Sequence, residues 1–269
     1  MMEIPRYMEY LKSNESIITK EGKSVQVFHL KIKDDLEIFE EWAKQFRRNY
    51  CSDSELKEMT RIMNITPSEY LKKNKLPSGI GLGLSTMSGD FGEILVADYL
   101  QFVEKYTVPR TRYKIRENKD NSTLGSDVLG YKIYSLEPKE DEVIVMEVKS
   151  SASNSPRSKD KEKLQEAIDH SNKDFKRFST SIVASYLKLR TTNPEQANIV
   201  ERFLNIVDKP FNVIYGAVAV HSNRSYDRAV IKEVVAKNHR SFHDLKLFVI
   251  YSDNLMDFIK NIYEKASVV

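Results

Sequence analysis

Cysteine is nearly absent from the sequence, and its scarcity excludes two kinds of protein. The 269 residues include one cysteine, Cys51. An intramolecular disulfide framework and a cysteine-rich zinc site are therefore excluded, and a reducing environment is expected. Long apolar runs are lacking as well, because those around residues 94–100 and 213–220 are too short to cross a bilayer. The N-terminus has no basic segment followed by an apolar core, so we predict a cytoplasmic protein without a signal peptide.

An excess of charge of one sign is also lacking. The chain has 42 lysine and arginine residues against 39 aspartate and glutamate residues, which gives a net charge of +3. Because this excess is small, any surface that binds nucleic acid must be local. The composition, 41% hydrophobic and 30% charged, is that of a soluble globular protein.

Glycine is scarce except in one stretch, which holds five of the nine glycines between residues 77 and 92. Gly79-Ile80-Gly81-Leu82-Gly83 is as rich in glycine as a phosphate-binding loop, but it lacks the Gly-Lys-Ser/Thr ending that a Walker-type loop requires. We interpret the stretch as a tight linker. It predicts an N-terminal, mostly helical extension over residues 1–85 and a core over residues 86–269.

The strongest strand signal lies between Glu142 and Lys149. Val143-Ile144-Val145 is a continuous β-branched run, typical of a strand that is buried on both faces. Successive side chains of a strand point to opposite faces, so Glu147 and Lys149 share one face. An acid and an amine are therefore predicted as neighbours at the end of an apolar strand.

A second acid, Asp127, opens the preceding strand, across a predicted turn at residues 137–141. If the two strands pair antiparallel, Asp127 comes close to Glu147 and Lys149. Two carboxylates with a lysine suit a hard divalent cation such as Mg²⁺, which takes oxygen ligands. The lysine can then orient a metal-activated water that attacks a phosphodiester.

At these positions the sequence resembles the PD-(D/E)xK nuclease superfamily. Asp127 matches the first acid of the pattern, Glu147 and Lys149 match its acid-x-lysine, and Ser126 stands where the pattern has proline. The resemblance implies an α/β fold with a restriction-endonuclease-like core, a mixed central sheet flanked by helices. It also implies Asp127 and Glu147 as metal ligands and Mg²⁺ as cofactor, for which Mn²⁺ can substitute.

Two flanking segments are candidates for additional roles. A helix is predicted to begin at Ser88-Gly89-Asp90, and in many superfamily members such a helix lends a glutamate to the metal site, here Glu93. The alternative is a first-turn glutamate that complements the helix dipole. Residues 106–116 are predicted as the first core strand, with three basic side chains on one face that are candidates for contact with a phosphate backbone: Arg112, Lys114 and Arg116.

The remaining pattern places helices and strands around these motifs. Helices are predicted after Asp34 as N-cap, after Ser52 and from Pro67, and a helical pattern runs from Lys159 to about Arg190. Gln165 on that helix occupies the place of a functional glutamine of some superfamily members, although a surface role is the simpler interpretation. Further elements are predicted as strands over 25–32, 211–220 and 245–251, and as helices over 227–239 and from 254.

A closer resemblance follows from three short motifs at this spacing: Gly89-Asp90-Phe91-Gly92-Glu93, Gly125-Ser126-Asp127 and Glu147-Val148-Lys149-Ser150. Together they resemble the HamA family, the nuclease subunits of the Hachiman anti-phage defence system. The resemblance covers the chain from about Gly89 to the C-terminus. It implies a metal-dependent DNase in a bacterial defence complex and a HamB-like helicase partner that restrains it.

Two other interpretations stay open at this point. One is a stand-alone restriction or repair nuclease, for which no base-reading element is identifiable. The other is an inactive nuclease-like module that binds DNA or a partner, against which the intact Asp127, Glu147 and Lys149 argue.

Overall fold

The centre of the chain is a mixed sheet. In the computed structural model, which describes residues 3–114, 116–134, 138–152 and 163–269, six strands form this sheet in the order β1-β2-β6-β5-β4-β3. The outer pairs β1/β2 and β3/β4 are antiparallel, and the four strands β2, β6, β5 and β4 run parallel. The strands are β1 Leu11–Ile18, β2 Ser24–Leu30, β3 Val128–Lys132, β4 Glu142–Ser151, β5 Asn212–Ser222 and β6 Lys246–Ser252.

Helices cover both faces of the sheet and divide the core into two. The helices are α1 Leu36–Arg48, α2 Asp53–Met63, α3 Pro67–Asn74, α4 Leu82–Asp98, α5 Lys163–Asp174, α6 Phe178–Thr192, α7 Pro194–Glu201, α8 Arg228–Lys232 and α9 Leu255–Ala266. Ile144 and Met146 of β4 lie in the core that α1, α4 and α9 cover. Val143 and Val145 lie in the core under α5, α6 and α7. The predicted α/β fold, with a mixed sheet flanked by helices, is therefore confirmed.

The N-terminal part contributes more than helices. β1, which the sequence pattern did not predict, and β2 form one edge of the common sheet, where β2 pairs with β6. The division between residues 85 and 86 stays a prediction. In the described ranges, no helix is both long and apolar enough to cross a membrane.

Helix α4 begins earlier than predicted. It starts at Leu82, after Gly81 with a φ of 55°, so the predicted start at Ser88-Gly89-Asp90 is wrong. A glycine inside a helix costs about 1 kcal/mol of stability relative to alanine. The sequence therefore favoured a helix that begins near Gly89 over one that runs through it. Most of α4 is buried, however, and tertiary packing outweighs local propensity.

Several other element predictions are corrected by the structure. The predicted strand over residues 106–116 is wrong, because within its described positions only Thr107 forms a bridge, to Tyr131. The predicted helix over 227–239 is limited to α8, and the pattern up to Arg190 is interrupted between Asp174 and Phe178. The predicted start of that pattern at Lys159 lies outside the described residues. In each case the charge or apolar pattern did not show where the chain turns.

Helix starts with polar caps are placed more accurately. Ser52 accepts a hydrogen bond from the backbone of Glu55, and Thr66 with Glu69 forms a reciprocal capping box before Pro67. The cap of α1 is Asp35 rather than Asp34, because the Asp35 side chain accepts from the Ile38 amide.

Gly92 brings α4 close to the sheet. A Cβ atom at this position would lie 3.3 Å from side-chain carbons of both Val148 and Val220, whereas a Cβ at Gly89 meets nothing within 4 Å. We predict that Gly89→Ala raises the free energy of unfolding by up to about 1 kcal/mol through helix propensity. Gly92→Ala should gain less or lose stability, because the added methyl group crowds two core valines.

Urea unfolding of both variants, which lie on the same helix, measures the difference. Equal stabilisation by the two substitutions would contradict a close approach of α4 to the sheet at Gly92.

Candidate active site

The β3–β4 hairpin joins the predicted acids. The two strands pair antiparallel, which was the condition for bringing these groups together. The register pairs Val128 with Met146 and so directs Asp127 toward the carboxyl end of β4. The backbone amide of Val148 donates to Asp127 Oδ2 over 2.9 Å. Asp127 therefore lies directly beside the Glu147-Val148-Lys149 segment.

Glu147 and Lys149 share the face of β4 that α5 covers. Lys149 Nζ lies 2.5 Å from Glu147 Oε1, and the glutamate is buried. Burial raises the pKa of Glu147, and the negative charge of Asp127 raises it further, against the opposing charge of Lys149. Burial alone would lower the pKa of Lys149, but the charge and hydrogen bond of Glu147 raise it. The amine therefore stays an ammonium.

Helix α5 adds two groups that the sequence analysis did not place in the site. His170 Nδ1 lies 3.4 Å from Glu147 Oε1. Asp174 is fully buried, and its carboxyl group lies against that of Glu147. Burial and the charge of Glu147 raise the pKa of Asp174 to about 7. The four-residue spacing on one helix face was the signal that could have identified both.

Glu93 reaches the site from the other face of the sheet. It lies in the middle of α4, so the alternative role as a first-turn partner of the helix dipole is wrong. Arg112 Nε lies 2.8 Å from Glu93 Oε2, and the Tyr113 hydroxyl donates to the same oxygen over 2.5 Å. Burial raises the pKa of Glu93 to about 8, where Arg112 opposes the shift and Asp127 adds to it.

A second buried ion pair, between Arg116 and Asp90, holds the chain just after Arg112 and Tyr113. Arg116 donates from both terminal nitrogens to Asp90, over 2.6 and 2.7 Å, in the forked geometry that suits a carboxylate. The Tyr50 hydroxyl donates to Asp90 Oδ2 over 2.8 Å. Asp90, predicted at the start of a helix, is thus a buried partner of Arg116.

Lys114 belongs to a group of three lysines beside the site. Lys188 Nζ donates to the carbonyl of Thr111 over 2.6 Å, and Lys75 Nζ donates to the carbonyl of Lys114 over 3.2 Å. Burial lowers the pKa of Lys188 to about 8, and the positive charges of Lys114 and Lys75 lower it further. Lys75 Nζ also lies 2.5 Å from Glu55 Oε1, so this acid offsets part of the positive charge of the group.

Of the cavities that Asp127 lines, two are large enough to concern a substrate. The larger, about 1010 Å³, is an open cleft whose lining includes Asp90, Glu93, Arg112, Asp127, Glu147, Lys149 and His170. The smaller, about 290 Å³, lies between α6 and the loop before β3, and its lining includes Thr111, Thr123, Ser181, Ser185 and Lys188. Gln165 instead exchanges hydrogen bonds with the backbone of Val235. It supports the chain after α8.

The carboxylate oxygens of the site are the type of ligand that a hard divalent cation takes, although their present arrangement does not gather three of them around one point in the described residues. The negative charge of Asp127 raises the pKa of Glu93, of Glu147 and of Asp174. Asp127 therefore repels the negative charge of each of these three carboxylates. A cation with oxygen ligands would relieve that repulsion. Arg112 and Lys149 neutralise the same carboxylates, and in the part of the chain that is described no group of three acidic, histidine or cysteine side chains is arranged to hold a metal.

The mixed sheet, the helices on both faces and the acid–amine cluster at a strand end define an α/β protein whose core is consistent with that of a nuclease. The chain belongs to the HamA family, whose family model matches residues 5–266 of the 269. The match includes the N-terminal part, which the motif resemblance did not reach, and it associates the chain with Hachiman defence. Among curated proteins, no match was found.

The raised pKa of Glu93 predicts a pH-dependent stability. Between the ordinary value of 4.5 and about 8, the folded chain retains a proton that the unfolded chain has lost. Stability therefore falls as pH rises through this range, by at most ~1.4 kcal/mol per pH unit for one proton. Glu93→Gln should reduce this fall.

Urea unfolding of both proteins in EDTA, between pH ~5 and ~8, measures the two slopes. Identical slopes would show that folding does not hold a proton on Glu93.

Proposed function

We propose that the chain is a metal-dependent DNA nuclease that acts as the effector subunit of a bacterial anti-phage defence complex. The observation that carries the proposal is the convergence of Asp127, Glu147 and Lys149 from two paired strands. An inactive binding module would not require these three groups to meet, so the convergence favours an enzyme. A stand-alone restriction or repair nuclease has no observation in its favour, whereas the family favours a defence complex.

The roles of the residues follow from their chemistry. Asp127 and Glu147 would hold Mg²⁺, or Mn²⁺ in its place. Glu93 would add a further carboxylate ligand. When bound, the cation would lower the pKa of a water molecule and polarise the phosphodiester. Lys149, kept as an ammonium by Glu147, can donate to the attacking water or to a phosphate oxygen.

The substrate would be held by positive charge next to Asp127. Lys114 lies with Lys75 and Lys188 at the smaller cavity or near it, where threonine and serine hydroxyls supply further donors. Phosphate contacts of this kind are electrostatic and independent of base sequence. Arg112 and Arg116 are also candidates for phosphate contact, but each pairs with carboxylates and would have to exchange partners.

A helicase partner and a cytoplasmic location complete the proposal. The helicase rests on the family alone: a HamB-like helicase would restrain the nuclease until aberrant DNA is present. The cytoplasmic location rests on the composition, which has a single cysteine and no long apolar run.

Cleavage of supercoiled plasmid tests the proposed reaction. With Mg²⁺ or Mn²⁺, wild-type protein, alone or with its co-purified helicase, should nick DNA, and EDTA should stop the reaction. Glu147→Gln and Lys149→Met should each lower the rate by about 100-fold or more, because one removes a charged ligand and the other the positioned ammonium.

Glu142→Gln is the matched control, since Glu142 lies at the opposite end of the same strand and accepts from Tyr106 and Tyr134. It should cleave like wild type. Metal-independent cleavage of equal rate in all variants, with and without the partner, would reject the proposed function.

DNA affinity tests the lysine group. In the Glu147→Gln background with EDTA, Lys188→Gln should weaken binding of a duplex several-fold at low salt. The slope of log affinity against log salt should fall by about 1, because one phosphate contact is lost. Lys260→Gln, at an exposed position on α9, should change neither value. An unchanged slope for Lys188→Gln would place the phosphate backbone elsewhere.

A further inference from the structure

Arg112 occupies the middle of the site. Its Nη1 donates to the Ser126 carbonyl over 2.6 Å, and its Nη2 donates to the Thr123 carbonyl and to Asp127 Oδ1, each over 2.9 Å. Its Nε lies 2.8 Å from Glu93 Oε2. One guanidinium, 15% exposed, therefore bridges two of the carboxylates that would coordinate a cation.

This bridge leaves the two carboxylates poorly suited to a metal. Asp127 Oδ2 accepts from the Val148 amide, so both Asp127 oxygens already have a donor. Glu93 Oε2 accepts from Tyr113 in addition to its contact with Arg112. Spare lone pairs remain on these oxygens, but a guanidinium charge within 3 Å of them repels a second cation, and the partial burial of the site weakens the screening of that repulsion by water.

We propose that Arg112 is an internal counter-ion that competes with the divalent cation for Glu93 and Asp127. The inference rests on the proposed function, and it concerns the regulation of the same site. The structure then corresponds to a closed state in which the arginine holds the carboxylates. The site accepts a metal when Arg112 withdraws from them.

The position of Arg112 in the chain is compatible with such an exchange. In the described positions from Pro109 to Asp127, no helix or strand fixes the backbone. Arg112 is held there by side-chain contacts, and two of these are to carbonyls of the same segment. A phosphate is an equally good forked partner for a guanidinium, so Arg112 has an alternative partner when a nucleic acid enters the cleft that it lines.

Arg110 provides a matched control two residues away. Its Nη2 lies 2.8 Å from Asp98 Oδ1, and its side chain is 16% exposed, nearly the same as that of Arg112. Asp98 also accepts from the Tyr7 hydroxyl, and neither Arg110 nor Asp98 lines the large cleft. Loss of Arg110 therefore breaks a comparable buried ion pair without freeing a carboxylate of the site.

Calorimetric titration of Mn²⁺ into metal-free protein tests the inference without an activity measurement, at a pH above about 8, where Glu93 has lost the proton that burial holds on it. Wild type, Arg112→Gln, Arg112→Lys and Arg110→Gln are compared, each first shown to be folded by circular dichroism. Arg112→Gln should bind Mn²⁺ about tenfold or more tightly than wild type, and Arg110→Gln should bind like wild type. Arg112→Lys, which keeps the charge but loses the fork, should fall between them.

Thermal unfolding gives a second readout. A buried charge without its partner destabilises a protein, so Arg112→Gln should unfold at a lower temperature without metal. Added Mn²⁺ should raise its midpoint more than it raises that of wild type. A further Asp127→Asn substitution should remove this gain, because the freed ligand is gone.

The outcomes separate the two proposals. Mn²⁺ binding of equal strength in wild type and Arg112→Gln overturns the counter-ion role and leaves the metal-dependent nuclease intact. A gain of equal size in Arg110→Gln also overturns it, because loosening of the segment then explains the effect. If neither wild type nor any variant binds Mn²⁺, both the counter-ion role and the metal requirement of the proposed function fail.

Discussion

The burial of several carboxylates at one strand end is the constraint on which the rest of the site depends. A buried carboxylate is costly unless a cation or a hydrogen bond compensates it. Asp127 connects two halves of the cluster, because it raises the pKa of Glu93 on one side and of Glu147 on the other. Arg112 and Lys149 provide the compensating charge. Asp127 directly precedes β3, Glu147 and Lys149 lie on β4, and Glu93 and Asp174 lie on α4 and α5.

The scaffold achieves this with three packing arrangements. The β3–β4 register carries Asp127 to the Glu147 strand. Close approach of α4 to the sheet at Gly92 brings Glu93 to the same edge from the opposite face. Helix α5 packs over the face of β4 that carries Glu147, and this places Asp174 against it. A cluster assembled from three separate segments is sensitive to the position of each.

Membership of the HamA family and the geometry of the cluster support a common proposal. The family associates the chain with anti-phage defence, in which uncontrolled DNA cleavage would harm the host cell. Restraint by a helicase partner would act from outside the chain. The proposed counter-ion role of Arg112 would act from inside it, because the arginine and the metal require the same carboxylates. The two forms of restraint are compatible. A partner that moves the segment around Arg112 would also change whether Arg112 or a metal contacts Glu93 and Asp127.

The sequence by itself determined the apolar β4 strand, the shared face of Glu147 and Lys149, and the helix starts after Ser52 and at Pro67, because these depend on residues adjacent along the chain. Tertiary structure decided the rest. The arginine-rich segment after residue 106 is not a strand, since buried pairs with acids distant in sequence fix its path. Asp174 entered the site, and α4 continued through its glycines, because of contacts between segments far apart in the chain, where burial and charge pairing outweigh local preference.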